Sequence, residues 1–501
     1  MSDAVFSDGR LDDRAWLSWG SLGIAALALV SVITAHLVSP LFGTVAAVLF
    51  GLAIGMAMAP FAPFAVLALF LFQNLLIAIV SPQLEHGFAL TAMRSSNFVM
   101  TVSAFSVFCA SYMSAPGRYG GIDAVMKHTA FILLLVLIYF LFGYARFGDT
   151  AIIYLRNITT PLFVLVVALV ASRAYDLRYT QAFALLTAVL LLFGYLEFAF
   201  GRAFWEAVNG DHYARLSSTS LRLYPLGPWV EAMQHTGYVT RDPFESARVY
   251  LFNFAFFEEL GKMFRRPEGP NFHAISYAYA IGVLVLALLA KGRWIYLLAS
   301  LPLLFLVGSK GATAFLILCA FGLFFARLSR SWTVFSGFVI LLAAYAAVAA
   351  ATAIAVQNYH ALGLMAGLEA FARNPLGGGL GASGILSVRF IDIDWNTAQL
   401  LGRTDVVVES AVAVLMHQMG VFAFALIAFN LWLAARAWKI FRDGGELVAA
   451  AASFMLLTIT VNGIFHEEAL FAPLALGSVM LVAGLVIGRS AAFKARLSGN
   501  A

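Results

Sequence analysis

Apolar stretches of about twenty residues recur along this chain, each long enough for an α-helix to cross the hydrocarbon core of a bilayer. They fall at 17–38, 41–59, 61–81, 97–113, 129–147, 151–172 and 180–199, then again at 272–290, 294–309, 311–326, 333–356, 409–435, 447–465 and 469–488. A backbone in lipid has no water to bond, so each segment must satisfy its own amides and carbonyls, as a helix does. The expectation is an all-α polytopic membrane protein with about fourteen transmembrane helices. Composition agrees: 62% of the 501 residues are hydrophobic and 11% charged, against roughly 25% charged in a soluble domain. The net charge of +5 does not point to nucleic acid, because the basic residues sit in short loops between apolar spans. Cys109 and Cys319 lie inside such spans and read as packing residues, not as a disulfide or a metal-binding thiol pair.

Lys and Arg in short loops set orientation, since they favour the cytoplasmic side. Arg118 and Lys127, Arg173 and Arg178, Lys291 and Arg293, Arg327 and Arg330 fall in alternate connections. So do Arg436, Lys439 and Arg442, and finally Arg489, Lys494 and Arg496. Assigning this set to the cytoplasm puts both termini inside and two long hydrophilic connections outside. The chain then divides into an N-terminal transmembrane bundle (1–199), an outward loop (200–271), further transmembrane helices (272–356), a glycine-rich outward loop (357–408), and C-terminal transmembrane helices with a cytoplasmic tail (409–501). In the first outward loop, residues 242–265 set apolar side chains at helical spacing against Glu245, Arg248, Glu258, Glu259 and Lys262. That pattern predicts an interfacial amphipathic helix.

Ionisable groups in or beside a span are costly to keep there, so each needs a reason. On the outward side lie Arg265, Arg266, Lys310, His360, Glu409 and the triplet His466, Glu467 and Glu468; Arg156 lies just inside its span. Each has an ordinary role open to it: the arginines snorkel to lipid phosphates, Lys310 is a turn cation, and Glu409 complements a helix dipole. His417, two turns into an apolar helix, reads as a core histidine. No pair beyond the triplet has metal-ligand spacing, so no metal and no cofactor are expected. The segment NPLGGGLGASG carries five glycines from Gly377 to Gly384. Glycine permits positive φ and close backbone approach, so the amides of Gly378, Gly379 and Gly381 are candidates to cradle an anion.

The order of these motifs resembles the O-antigen ligase and Wzy-type polysaccharide polymerase superfamily, over roughly residues 260–425. RRPEGPNFHAISYAYAIG is similar to that family's arginine-bearing loop, and GSKGATAFLIL to its short Ser-Arg-Gly turn, with Lys310 where Arg is usual. HALGLMAGLEAFARNPLGGGLG is similar to its stretch ending in Pro-Leu-Gly-x-Gly-x-Gly, with His360 where Arg is common. Glu409-Ser410, nine residues and Gly420 match the spacing of the ligase His-x-Gly pattern, but with glutamate in place of histidine. A glutamate start resembles the exopolysaccharide polymerase branch.

The resemblance implies a glycosyltransferase that polymerises oligosaccharide units carried on undecaprenyl pyrophosphate, at the periplasmic face of a bacterial inner membrane. It implies that Arg265, Arg266 and Lys310 hold the departing pyrophosphate, that Glu409 takes the acceptor hydroxyl's proton, and that His360 binds phosphate or orients the acceptor. His466, Glu467 and Arg156 are further candidates. The implied partners are the lipid-linked glycan donor, a glycan acceptor, membrane lipids and a chain-length regulator. Two other readings stay open: an O-antigen ligase handing the glycan to a different acceptor, and a lipid or polysaccharide transporter, for which no internal repeat is visible.

Overall fold

The computed structural model describes residues 14–84, 87–175, 177, 179–217, 248–250, 263–387, 390 and 393–497. Seven helices come first: α1 (Arg14–Val38), α2 (Pro40–Met56), α3 (Ala62–Val80), α4 (Gly87–Ser114), α5 (Asp123–Phe147), α6 (Asp149–Ala174) and α7 (Thr180–Phe200). Two short helices, α8 (Arg202–Ala207) and α9 (Gly210–Ser217), open the first long connection. They are followed by the strands β1 (Arg248–Tyr250) and β2 (Met263–Arg265). Four apolar helices resume at α10 (Ala274–Ala290), α11 (Ile295–Val307), α12 (Lys310–Leu328) and α13 (Trp332–Ala355). The second connection holds α14 (Tyr359–Arg373) and α15 (Trp395–Leu401). The chain closes with α16 (Ala411–Met419), α17 (Ala423–Arg442), α18 (Leu447–Asn462), α19 (Glu467–Phe471) and α20 (Pro473–Leu497).

Every apolar stretch read from the sequence is helical. Among the described residues ten helices are long and apolar enough to cross a membrane, with Ala411–Arg442 counted as one, and four more apolar helices are shorter. Two of the short ones, α10 and α18, are almost wholly buried and form the middle of the bundle, where they need not match the thickness of lipid. By contrast α13 and α5 turn most of their surface outward, with Leu134, Ile138, Leu141 and Ile340 exposed, as a hydrocarbon solvent requires. α20 lies along α6 because its glycines let the backbones meet: a Cβ on Gly488 would sit 2.2 Å from Ser172 Oγ, and that hydroxyl also donates to the Gly484 carbonyl at 3.2 Å. Small residues at such contacts are the usual way to pack helices in lipid.

The two ends of the bundle differ in charge. At one end Glu446 accepts from Arg489 at 3.1 Å and from the Tyr179 hydroxyl at 3.3 Å, and pairs with Lys291. Nearby ends are tied by Arg173 donating to the Gly120 carbonyl, Arg436 to Gly121 and Arg327 to Leu289. The basic loop residues predicted to share a side therefore do share one, except that Arg178 and the side chain of Arg496 lie outside the described residues. The opposite end carries the two long connections.

Two expectations need correction. Residues 248–250 and 263–265 are not helical: they pair antiparallel, with Val249 opposite Phe264 and Arg248 opposite Arg265, while 242–247 and 251–262 lie outside the described residues. The span expected at 409–435 is also interrupted. α16 stops at Gly420, whose φ is +56°, and α17 starts three residues later. The glycine-rich loop fills the break: Gly378 N–H donates to the His417 carbonyl at 2.8 Å, Gly379 N–H to Gln418 at 2.9 Å, and Val421 N–H to the Pro375 carbonyl at 2.8 Å. Carbonyls freed by the break thus find partners, which an apolar surrounding demands. The same loop reaches α5, where Leu380 N–H donates to the Tyr139 carbonyl at 3.0 Å.

A methyl group should not fit in this wedge. Gly379 has φ +95°, and its Cβ would lie 2.7 Å from Gly143 Cα. Gly379→Ala is expected to lower stability by about 1–3 kcal/mol through strain and overpacking. Gly337→Ala, with nothing within 4 Å, should leave it unchanged. Thermal unfolding of both variants in detergent is the check.

Candidate functional site

Glu409 occupies a strained turn. Ser410 must cap α16, its Oγ accepting from Ala413 N–H at 3.2 Å, while Val408 is pinned against α14, where a Cβ on Gly363 would lie 1.9 Å from the Val408 carbonyl oxygen. Between these two constraints the chain closes a γ-turn: Ser410 N–H donates to the Val408 carbonyl at 2.8 Å, and Glu409 takes φ +64°. A side chain in this left-handed region costs roughly 1 kcal/mol or more, and such strain gathers at functional sites.

The turn aims Glu409 at α14. His360 Nδ1 lies 3.3 Å from Glu409 Oε2 and 3.3 Å from the Glu409 carbonyl oxygen. Both oxygens are acceptors, so Nδ1 carries the proton and Nε2 keeps its lone pair. The His466 ring meets the His360 ring at 4.5 Å between centroids and 61° between planes. His466 also packs on the start of α12, where a Cβ on Gly311 would be 2.8 Å from its Cδ2, so the Lys310 turn borders the same cluster. Asn462 holds these elements together: its Nδ2 donates to the Gly311 carbonyl at 2.8 Å and to the Tyr279 hydroxyl at 3.0 Å, and its Oδ1 accepts from Tyr345 at 3.2 Å.

Charge is distributed unevenly over the cluster. Burial pulls His360 down, but the hydrogen bond and charge of Glu409, with Glu468 beyond, outweigh it and raise His360 above its ordinary 6.5. His466 goes the other way: burial, then the His360 and Lys310 charges, push it down to about 3, so it is neutral at physiological pH. Glu467 is buried, and burial pushes its carboxyl up to about 8. Two donors oppose that rise, the Tyr154 hydroxyl at 2.5 Å and Ile385 N–H at 3.0 Å; the Glu468 and Glu409 charges add to it.

Four of the expected site residues, Lys310, His360, Glu409 and His466, converge on this cluster, and Glu467 closes its inner side. The others do not. Arg265 is buried in a cluster of its own: Nη1 pairs with Glu197 at 3.1 Å, Nη2 with Glu268 at 3.5 Å, and its guanidinium stacks 3.3 Å above the Trp205 ring. Glu197 in turn accepts from Trp205 Nε1 at 3.2 Å and from Gly269 N–H at 2.9 Å. This ion pair ties α7 to the β2 turn, and Arg265 and Glu197 line a cavity of about 150 Å³ there, whose lining shares no residue with the Glu409 cluster. Arg266 is half-buried, within range of the Glu268 and Glu468 charges. The expectation for Gly378 and Gly379 is corrected, since their amides serve the His417 and Gln418 carbonyls and are not open to an anion. Gly381, at φ +88°, packs on the start of α6, its Cβ position 2.8 Å from Ala151 N. Arg156 lines a separate cavity with Arg94.

Glu197, a charge inside the 180–199 span, was signalled by its position but passed over; Arg94 lies before the 97–113 span and is brought into the helix only by the structure, where α4 begins at Gly87. The sequence reading named Glu468 in the triplet but gave it no role, although its charge acts on both His360 and Arg266. Among the described residues no three His, Cys, Asp or Glu side chains group as metal ligands. Compared with protein-family models, curated proteins and solved structures, the chain matches none of them.

Two outcomes are expected. Glu467→Gln copies the protonated carboxyl and can accept from both donors, so its stability at pH 7 should equal or exceed that of the wild type. A carboxyl held above its ordinary value loses folding free energy as pH rises through the folded pKa. The wild type should therefore weaken between about pH 4.5 and 8 relative to Glu467→Gln and level off above that, as read by thermal unfolding across the range. Glu197→Gln should cost about 1–3 kcal/mol, because it removes the nearer of the two carboxylates that pair with a buried guanidinium. Glu197→Gln with Arg265→Met should cost less than the sum of the two singles, a coupling that a double-mutant cycle measures.

Proposed function

We propose that this chain is a membrane glycosyltransferase that joins lipid-diphosphate-linked oligosaccharide units, a polysaccharide polymerase of the Wzy type. The observation that carries the reading is the meeting of Glu409, His360, His466 and the Lys310 turn, drawn from four separate segments, at the end of the bundle away from the basic loops. In this reading the helices cross about fourteen times, both termini are cytoplasmic, and the cluster faces the periplasm of a bacterial inner membrane. A ligase would use the same cluster on a different acceptor. The interrupted helix is a feature of transporters, but here the glycine loop takes carbonyls at the break.

The chemistry follows from the pair. An acceptor hydroxyl loses its proton to His360 Nε2 while its oxygen bonds to the anomeric carbon; the carbon–oxygen bond to the diphosphate breaks, and the diphosphate leaves with the electron pair. Glu409 holds the imidazole in the tautomer that makes Nε2 the base and stabilises the imidazolium, as a carboxylate does for histidine elsewhere. Lys310 supplies positive charge near the departing oxygens.

Incubation of the purified protein with a defined lipid-diphosphate-linked oligosaccharide should yield elongated glycan, and addition of lipid A core should not divert it. Glu409→Gln should reduce turnover by roughly 100-fold or more. Because His360 must be neutral to act, wild-type turnover should rise with pH through a value above 6.5. In Glu409→Gln the residual activity should rise at lower pH, since the partner that lifts His360 is gone. Wild-type turnover in that variant would remove the pair from the mechanism. Orientation has its own check: on a cysteine-free background, an impermeant thiol reagent should label Thr397→Cys from outside and leave Arg330→Cys untouched; the reverse pattern would invert the assignment.

A further inference from the structure

A second polar region lies beside the first. Between α3, α4, α6 and the turn into α10 is a cavity of about 130 Å³, bordered on its far side by Pro473 and Leu474 at the start of α20. Arg94 and Arg156 both line it, from spans where a charge needs a reason to be kept. The two are close enough for their positive charges to repel, and no carboxylate is among the lining residues. That sets this cavity apart from Arg265, whose charge Glu197 and Glu268 already neutralise. Among the described residues the hydrogen bond of the Arg156 guanidinium is to the neighbouring Asn157 Oδ1, at a long 3.4 Å.

The rest of the lining is made of hydrogen-bonding groups that carry no net charge. His273 uses Nδ1 to accept from Ser276 N–H at 3.2 Å, so its second nitrogen, Nε2, carries a proton and is a donor. Asn97 also lines the cavity, and Asn74 is fixed by donating to the Asn271 carbonyl at 2.7 Å. Two side-chain oxygens of lining amides, Gln73 Oε1 and Asn271 Oδ1, are buried without a hydrogen-bond donor among the described residues, and their residues are 1% and 4% exposed. Such acceptors are expensive to leave unmet. A ligand suited to this lining carries an oxyanion for the guanidinium groups.

We infer that this cavity binds the phosphate end of a glycosyl phosphate, with Arg94 and Arg156 on the phosphate oxygens. Guanidinium forks match phosphate geometry and keep their charge at depth. That the phosphate belongs to a lipid-linked sugar rests on the proposed function; the anion site itself does not. The location suits the chemistry, because the turn that leads into Pro473 carries His466, Glu467 and Glu468 a few residues earlier. The Glu468 charge acts both on His273 at this cavity and on His360 in the cluster, so the two regions are neighbours.

The test uses the purified full chain and inorganic pyrophosphate, titrated by calorimetry in detergent against sodium chloride of equal ionic strength. The wild type should bind, Arg94→Gln and Arg156→Gln should each weaken binding about tenfold or more, and Arg94→Lys should fall between. Glu409→Gln should bind as the wild type does, which separates loss of this site from failure of the transfer chemistry. Should Arg156→Gln fail to fold, Arg94→Gln and Arg94→Lys carry the same comparison. Absence of wild-type binding, or equal binding in the Arg94 variants, overturns the site. In phosphatidylcholine nanodiscs, added polyprenyl phosphate should compete with pyrophosphate and added phosphatidylglycerol should not. Equal competition by phosphatidylglycerol overturns the lipid-linked source and assigns the site to bulk headgroups.

Discussion

Much of this molecule hangs on two hydrogen bonds, from the Gly378 and Gly379 amides to the carbonyls of His417 and Gln418. A helix that stops inside an apolar slab leaves carbonyls that cost several kcal/mol each if nothing meets them. Here an incoming loop supplies the donors, and only a run of glycines lets its backbone come close enough. With the break satisfied, α16 can be short, and its first residue and cap fall where α14 packs. The same loop then joins the preceding segment, Gly384 N–H donating to the Val407 carbonyl at 2.8 Å and Gln418 Nε2 to the Ser383 carbonyl at 2.9 Å. Glu409 therefore meets His360 because of contacts made well away from either side chain.

Three ways of handling buried charge coexist at this end of the bundle. Arg265 is matched by carboxylates and an aromatic face. Glu467 is neutralised, its carboxyl pushed up to about 8 by burial. Arg94 and Arg156 are left facing amides and one another. The first two arrangements match or remove the charge within the protein itself. The third is costly to the fold in isolation, and it is the arrangement that a bound anion would relieve.

What the sequence made legible was whatever depends on local composition: the apolar spans, the basic end, and the gathering of Lys310, His360, Glu409 and His466 at the other end. Pairings across long separations were not legible. Arg265 and Glu197 are 68 residues apart, and nothing near Arg265 signals a partner inside α7. The glycine run announced positive φ, which Gly377, Gly379, Gly381 and Gly384 adopt, but not which groups its amides would meet. The interruption of the helix was hidden because the residues around Gly420 are apolar on both sides, so hydropathy stays high across a backbone that is broken. The strand pair at 248–250 and 263–265 was misread for a related reason, since three-residue strands are too short to show an alternating pattern against a helical one.

The φ of +64° at Glu409 has a bearing on how this chain can change. Glycine is the residue that backbone would choose for itself, and asparagine the next. Holding a glutamate there spends folding free energy on a carboxylate. Stability and side-chain chemistry therefore pull against each other at this one position: glycine would relax the backbone and at the same time remove the carboxylate that meets His360.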